Sequence, residues 1–185
     1  MPAPGGEREM DRPITPGGAG APARQRMKRA VSSWRRRIVR LVQLPARERR
    51  QFLRAVPILA AVRLALWFLP LRTALRLTCR IRDRRGPFPA NRPGVHDIAQ
   101  AVRRASRAVP KANCLPQALA GQILLGRAGH ESEVRIGVRQ DPERGFEAHA
   151  WLEHRGEVVL GELPDMARFS PMPSLERYLG QHVPR

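Results

Sequence analysis

The chain has 185 residues, 34 Lys or Arg against 16 Asp or Glu, a formal net charge of +18 and a sequence pI near 11.8. Its length suits one compact domain with extensions rather than two large cores. Two cysteines, Cys79 and Cys114, make at most one bridge, so a disulfide framework is not expected and a reducing, cytoplasmic setting fits.

Residues 1–26 are rich in Gly, Pro and Ala and nearly devoid of large apolar side chains. Such a composition cannot bury enough surface to offset the entropy of ordering, and disorder is expected. There is no continuous apolar signal-peptide core near the start, so export by that route is not indicated. Residues 27–84 read as a basic, helical region. From Arg24 to Arg50 eleven Lys or Arg residues face the single acid Glu48, interleaved with Trp34, Ile38, Val39, Leu41, Val42 and Leu44. The pattern predicts a basic amphipathic helix ending near Pro45, suited to an acidic partner or precursor, an anionic membrane surface or nucleic acid.

The most apolar stretch follows, from Phe52 to Leu71, interrupted by Pro57, Arg63 and Pro70. A membrane-spanning helix needs about 20 mostly apolar residues, and this run falls short with Arg63 near its centre. It is expected to pack as helices on the core or on a partner, with interfacial membrane contact through Trp67 and its flanking arginines as the open alternative. Leu71–Arg84 continues in helical rhythm, with Cys79 in a packing role. Prolines and glycines then crowd residues 85–94, which reads as a linker. Beyond it Val95–Ala108 is predicted helical, with Ile98, Val102 and Ala105 on one side and His96 capping or solvated at its start.

Asn113-Cys114-Leu115-Pro116-Gln117 carries the first chemical signal. Asn113 is a good N-cap, Leu115, Ala118, Leu119, Gln122 and Ile123 recur at helical spacing, and Gly129 can end the helix. Pro116 is tolerated only in a first helical turn, which fixes the helix start here. Cys114 would then sit where unpaired N–H groups and the helix dipole favour a thiolate, the nucleophilic form of cysteine. The same N–H groups could hold an oxyanion. Read alone, Cys114 is more readily a small buried hydrophobe, and only a correctly placed base gives it a chemical role.

Val134, Ile136 and Val138 alternate with polar residues as a half-buried strand, and residues 141–145 form a turn. A second strand runs from Phe146 to His154, with His149, Trp151 and Glu153 on one face and Ala148, Ala150 and Leu152 on the other. Arg155-Gly156 is a turn signal before the apolar Val158-Val159-Leu160. A two-residue hairpin there pairs His154 with Glu157, and counting outward sets His149 opposite Glu162. Glu162 could then orient the imidazole of His149, leaving the second nitrogen for the thiol. A slip of one residue breaks that register and leaves Asp165 as the weaker candidate. His130, His154 and His182 stand apart from one another, and neither a metal site nor a phosphate loop is expected. In the tail, residues 166–185, Leu175, Tyr178 and Leu179 fit a short helix after Ser174 that covers the core or contributes to a substrate groove.

Taken together, Asn113-Cys114-Leu115-Pro116-Gln117-Ala118-Leu119-Ala120, Glu133-Val134-Arg135-Ile136-Gly137-Val138 and Phe146-Glu147-Ala148-His149-Ala150-Trp151-Leu152-Glu153 resemble the core of the lasso-peptide leader peptidases, bacterial transglutaminase-like cysteine peptidases. The likeness is close over residues 94–165. It implies an α+β fold in which an N-terminal helical region precedes a papain- or transglutaminase-like core, residues 95–165, whose nucleophile helix packs on a small antiparallel sheet. It also implies Cys114 as nucleophile, His149 as base and, in the family's window about a dozen residues past the histidine, Glu162 as acid. The substrate would be a ribosomally made precursor peptide, and the partners a separate leader-recognition protein and a cyclase. No cofactor and no nucleic acid are expected. Acyl transfer to an amine, as in transglutaminases, and a non-catalytic basic adaptor are the competing readings.

Overall fold

The computed structural model describes residues 43–83, 92–141 and 145–173. The disordered start expected over residues 1–26, the part of the expected basic helix before residue 43, most of the linker, residues 142–144, the helix expected after Ser174, and His182 lie outside them.

Helix α1, Ala46–Phe68, follows Pro45, whose extended backbone (φ −49°, ψ 143°) turns the chain into it. Pro45 therefore opens this helix. Pro57 and Arg63 lie within it without breaking it. The break falls at Leu69 (φ −111°, ψ 149°), which the following Pro70 drives into extended backbone. Helix α2, Leu71–Asp83, buries Ala74, Leu75 and Thr78. Helix α3, Val95–Ser106, buries Ile98, Ala99, Ala101, Val102 and Ala105. At its start the Asp97 carboxylate accepts the Gly94 N–H at 3.3 Å, while His96 is solvent-exposed.

Helix α4, Cys114–Arg127, is buried nearly all round from Pro116 to Leu125, as an apolar helix at the centre of a domain must be. The helices α1, α2 and α3 pack on it, and so do the three longer strands. Ala55, Leu59 and Val62 of α1 thereby share one core with Leu119, Ile123, Leu125 and the sheet residues Val134, Ala150 and Leu152. Gly121 sets the closeness of the approach, because a Cβ there would lie 2.8 Å from Leu152 Cδ2 and 3.2 Å from Leu160 Cδ2.

The sheet is antiparallel, in the order β3-β2-β1-β4: β1 Glu133–Asp141, β2 Gly145–His154, β3 Glu157–Leu160 and β4 Ser170–Pro171. Among the described residues, four α-helices around a small antiparallel sheet make the α+β class expected from the sequence. Arg155 (φ 52°) and Gly156 (φ 83°) form the two-residue turn, and His154 pairs with Glu157. Positive φ at both positions is the turn whose twist matches the strands. Strand β4 is unforeseen, and it brings the buried Phe169 over the sheet.

The register does not continue as counted. Glu153 pairs with Val158 but Leu152 with Leu160, so Val159 is a bulge. Its apolar side chain is buried beside that of Leu160, and its carbonyl accepts a hydrogen bond from Arg103 of α3 at 2.9 Å. That partner and the extra core contact offset the lost ladder bond. Continuing past the bulge brings Glu162 level with Ala150 rather than His149, which corrects the expected opposition of His149 and Glu162. A second correction concerns His130 and His154, whose rings meet edge to face at 5.9 Å. The end of α4 and the end of β2 bring them together across 24 residues of sequence.

Candidate active site

Cys114 is the first residue of α4 and half-buried. The turn before it places Lys111 at φ 56°, and Gln117 donates from Nε2 to the Ala112 carbonyl at 2.7 Å. Gln117 thus clamps the turn to the helix it opens. Asn113 occupies the N-cap position, but its side chain makes no cap hydrogen bond. The helix starts instead through Gln117 N–H to Asn113 O at 3.3 Å. The Cys114 and Leu115 N–H groups are therefore not taken by a capping side chain, and Pro116 has none to offer.

His149 lies in mid-β2, paired with Gly137. Its ring stacks toward Trp151 (centroids 6.3 Å, 17°) and meets Phe169 at 5.7 Å. Gly137 makes room for this cover, because a Cβ there would fall 2.9 Å from both the Trp151 ring and Phe169 Cβ. Nε2 of His149 lies 2.6 Å from the Gly161 carbonyl oxygen. A carbonyl only accepts, so Nε2 carries the proton and, in the neutral ring, Nδ1 holds the free lone pair. Gly161 has φ 87°, and a Cβ on it would sit 2.9 Å from the Ala150 carbonyl oxygen.

Glu162 is exposed and, among the described residues, forms no hydrogen bond or ion pair. Asp165 pairs with Arg139, which also holds Glu147 through Nη2 at 2.6 Å. The Arg139 guanidinium lies 4.7 Å over the Phe169 ring. Its hydrogen bond to Asp165 holds that carboxyl below the usual aspartate range, and Asp165 and Glu147 together raise Arg139. Asp165 thus belongs to a clamp that fixes Phe169 and the C-terminal segment against the His149 face.

Sulfur and imidazole lie at the same end of the sheet. The C-terminal end of α4, Gly126 to Gly129, shares a cavity with Glu153, Arg155 and Gly156, whereas Gly121 packs on Leu152. Helix and strand therefore run in the same direction. From there to Cys114 is seven residues of helix, and to His149 three of strand, each about 10 Å. Alternation along β2 aims His149 away from the face that meets α4, and among the described residues no hydrogen bond joins it to Cys114. Because β3 pairs with β2 only from Leu152 onward, the edge of β2 beside His149 is not covered by β3.

Residues 52–174 match the family described as the transglutaminase-like superfamily. The chain belongs to this superfamily, whose fold serves cysteine peptidases and acyltransferases. No curated protein and no solved structure matches the chain in the corresponding comparisons. The sequence alone assigns no role to Gln117, Gly161, Arg139 or Phe169, although Gln117 lies inside the cysteine motif and Gly161 inside the window that the family resemblance reserves for an acid.

Proposed function

We propose that the chain is a cysteine peptidase that removes the leader from a ribosomally made lasso-type precursor, freeing the core amine for a partner cyclase. The observation that carries the peptidase reading is the fixed tautomer of His149. With Nε2–H committed to the Gly161 carbonyl, Nδ1 is the basic nitrogen, at the end of the sheet where Cys114 opens the central helix. The precursor is supported by the likeness of the Cys114 and His149 segments to the leader peptidases.

In this mechanism the substrate backbone enters along the edge of β2 that β3 leaves unpaired, and His149 Nδ1 takes the Cys114 proton. The thiolate adds to the scissile carbonyl, and the Cys114 and Leu115 N–H groups hold the oxyanion. Protonated His149 then gives its proton to the departing core amine. Water, deprotonated by the same nitrogen, displaces the thiolate and releases the leader as a free acid. The Gly161 carbonyl acts as the orienting partner throughout.

The test is to incubate the full chain with candidate precursors, with and without a separate leader-recognition protein, and to weigh the products. Cleavage that disappears in Cys114→Ala and His149→Ala supports the proposal. Cleavage that survives Cys114→Ala sinks it, and a new amide with release of ammonia would identify acyl transfer instead.

A further inference from the structure

Helix α1 is apolar on two opposite faces, and the core uses only one. Gln51, Ala55, Leu59 and Val62 are buried. On the other side Leu53, Pro57, Ala61, Leu64 and Phe68 are exposed, spaced by three or four residues along one face. The stripe runs about 22 Å along the helix. It ends in a corner where Leu64, Trp67 and Phe68 are 50%, 69% and 73% exposed and the Trp67 and Phe68 rings stack at 5.3 Å. Leu71 and Leu77 of α2 are exposed as well. An exposed apolar stripe of this kind marks an interaction site.

Its surroundings indicate the partner. Residues 46–83 carry nine arginines against Glu48 and Asp83, and Glu48 is already paired with Arg104. Arg50 and Arg54 border one end of the stripe and Arg72 and Arg76 the other, all exposed, while the Arg63 guanidinium lies 5.7 Å over the Trp67 ring. Exposed tryptophan and leucines framed by arginines suit the headgroup boundary of an anionic bilayer, where apolar side chains enter the acyl layer and cations stay among phosphates. The stretch expected to fall short of a membrane span instead forms one 23-residue helix, which by length and composition could cross a membrane. Its inner face is built into the core, however, so the helix is placed to lie along a bilayer rather than through it.

We propose that the exposed faces of α1 and α2 form a peripheral docking surface for an anionic membrane, with Leu64, Trp67 and Phe68 as the inserting corner. This inference stands apart from the peptidase reading, since it uses none of the residues around Cys114 and His149.

Vesicles of phosphatidylglycerol and phosphatidylcholine, and of phosphatidylcholine alone, test it with the full chain by co-sedimentation. A triple exchange, Leu64→Gln, Trp67→Gln and Phe68→Gln, keeps the net charge and removes the apolar corner. The expected result is binding to the anionic vesicles that weakens at least about tenfold in the triple variant, while circular dichroism and thermal unfolding in solution stay close to those of the parent chain. As a second readout that does not depend on that variant, lipids brominated in the acyl chain should quench tryptophan emission in the parent, and the quenching should largely vanish in Trp67→Phe. Three outcomes overturn the proposal. They are absence of binding, equal binding by the triple variant, which would assign attachment to charge elsewhere, and self-association that the triple variant abolishes, which would make a second copy the occupant.

Discussion

His149 donates from Nε2 to the carbonyl oxygen of Gly161 at 2.6 Å, so a backbone group orients the ring where a carboxylate was expected. The arrangement depends on Gly161 having no side chain. At φ 87° an alanine is strained, and its Cβ would meet the Ala150 carbonyl oxygen at 2.9 Å. Gly161→Ala should therefore displace the carbonyl, lower kcat by one to two orders of magnitude and destabilise the fold by about 1 kcal/mol or more. Turnover assays beside denaturant titrations check both. A variant with unchanged turnover would show that this hydrogen bond does not orient the base.

Exposed Glu162 leads to a different expectation. Because the bulge at Val159 moves it out of register with His149, Glu162→Gln should alter kcat/KM by less than about threefold, in the range of surface exchanges. Comparing Glu162→Gln and Gly161→Ala under the same assay ranks carboxylate against carbonyl. A loss of a hundredfold or more in Glu162→Gln would restore the acid to the triad.

How much of this was legible in the sequence depended on whether the determinant was local. The helix start at Cys114, the Arg155-Gly156 turn and the α+β class follow from residues adjacent in the chain: Pro116 with its missing N–H, a glycine at positive φ, and the alternation of Val134, Ile136 and Val138 with polar residues along β1. The bulge was hidden, because it arises where Val159 and Leu160 both find core contacts and Arg103, 56 residues earlier, binds the Val159 carbonyl. The same holds for Phe169 over Gly137 and for the meeting of His130 with His154, which only the folded topology creates. An orienting carbonyl leaves no side-chain signature at all. Gly161 could be read as a turn residue but not as a partner of His149.

The closeness of α4 to the sheet yields a stability prediction that is separate from the chemistry. Gly121 faces Leu152 and Leu160, both of them 1% exposed, so a larger side chain there must push the nucleophile helix off the strands. Gly121→Val should cost about 1–3 kcal/mol through overpacking and shift the denaturant midpoint accordingly. Because such a push also displaces Cys114 relative to His149, turnover under conditions where the variant is still folded should fall as well. Lost stability with normal turnover would mean that the helix moves as a unit without disturbing the site.

The Arg139–Asp165 pair gives a pH dependence whose sign is fixed. The folded state holds the Asp165 carboxyl below its ordinary value of 3.8, chiefly through the hydrogen bond from Arg139. A group depressed on folding adds stability above its unfolded pKa and loses it as pH falls through the folded one. Arg139 is raised, so its share is already complete at any pH below its ordinary range and does not vary near neutrality. Asp165→Asn should thus lower Tm at pH 7, and the gap to the parent chain should close as pH drops below about 4. Thermal unfolding followed from pH 7 to pH 3 measures that convergence. Since the same pair anchors Phe169 beside His149, the exchange should also reduce turnover at pH 7, by less than Gly161→Ala does, because the Gly161 carbonyl still holds the ring. A gap in Tm that stays constant down to pH 3 would mean that Asp165 contributes through packing and not through its charge.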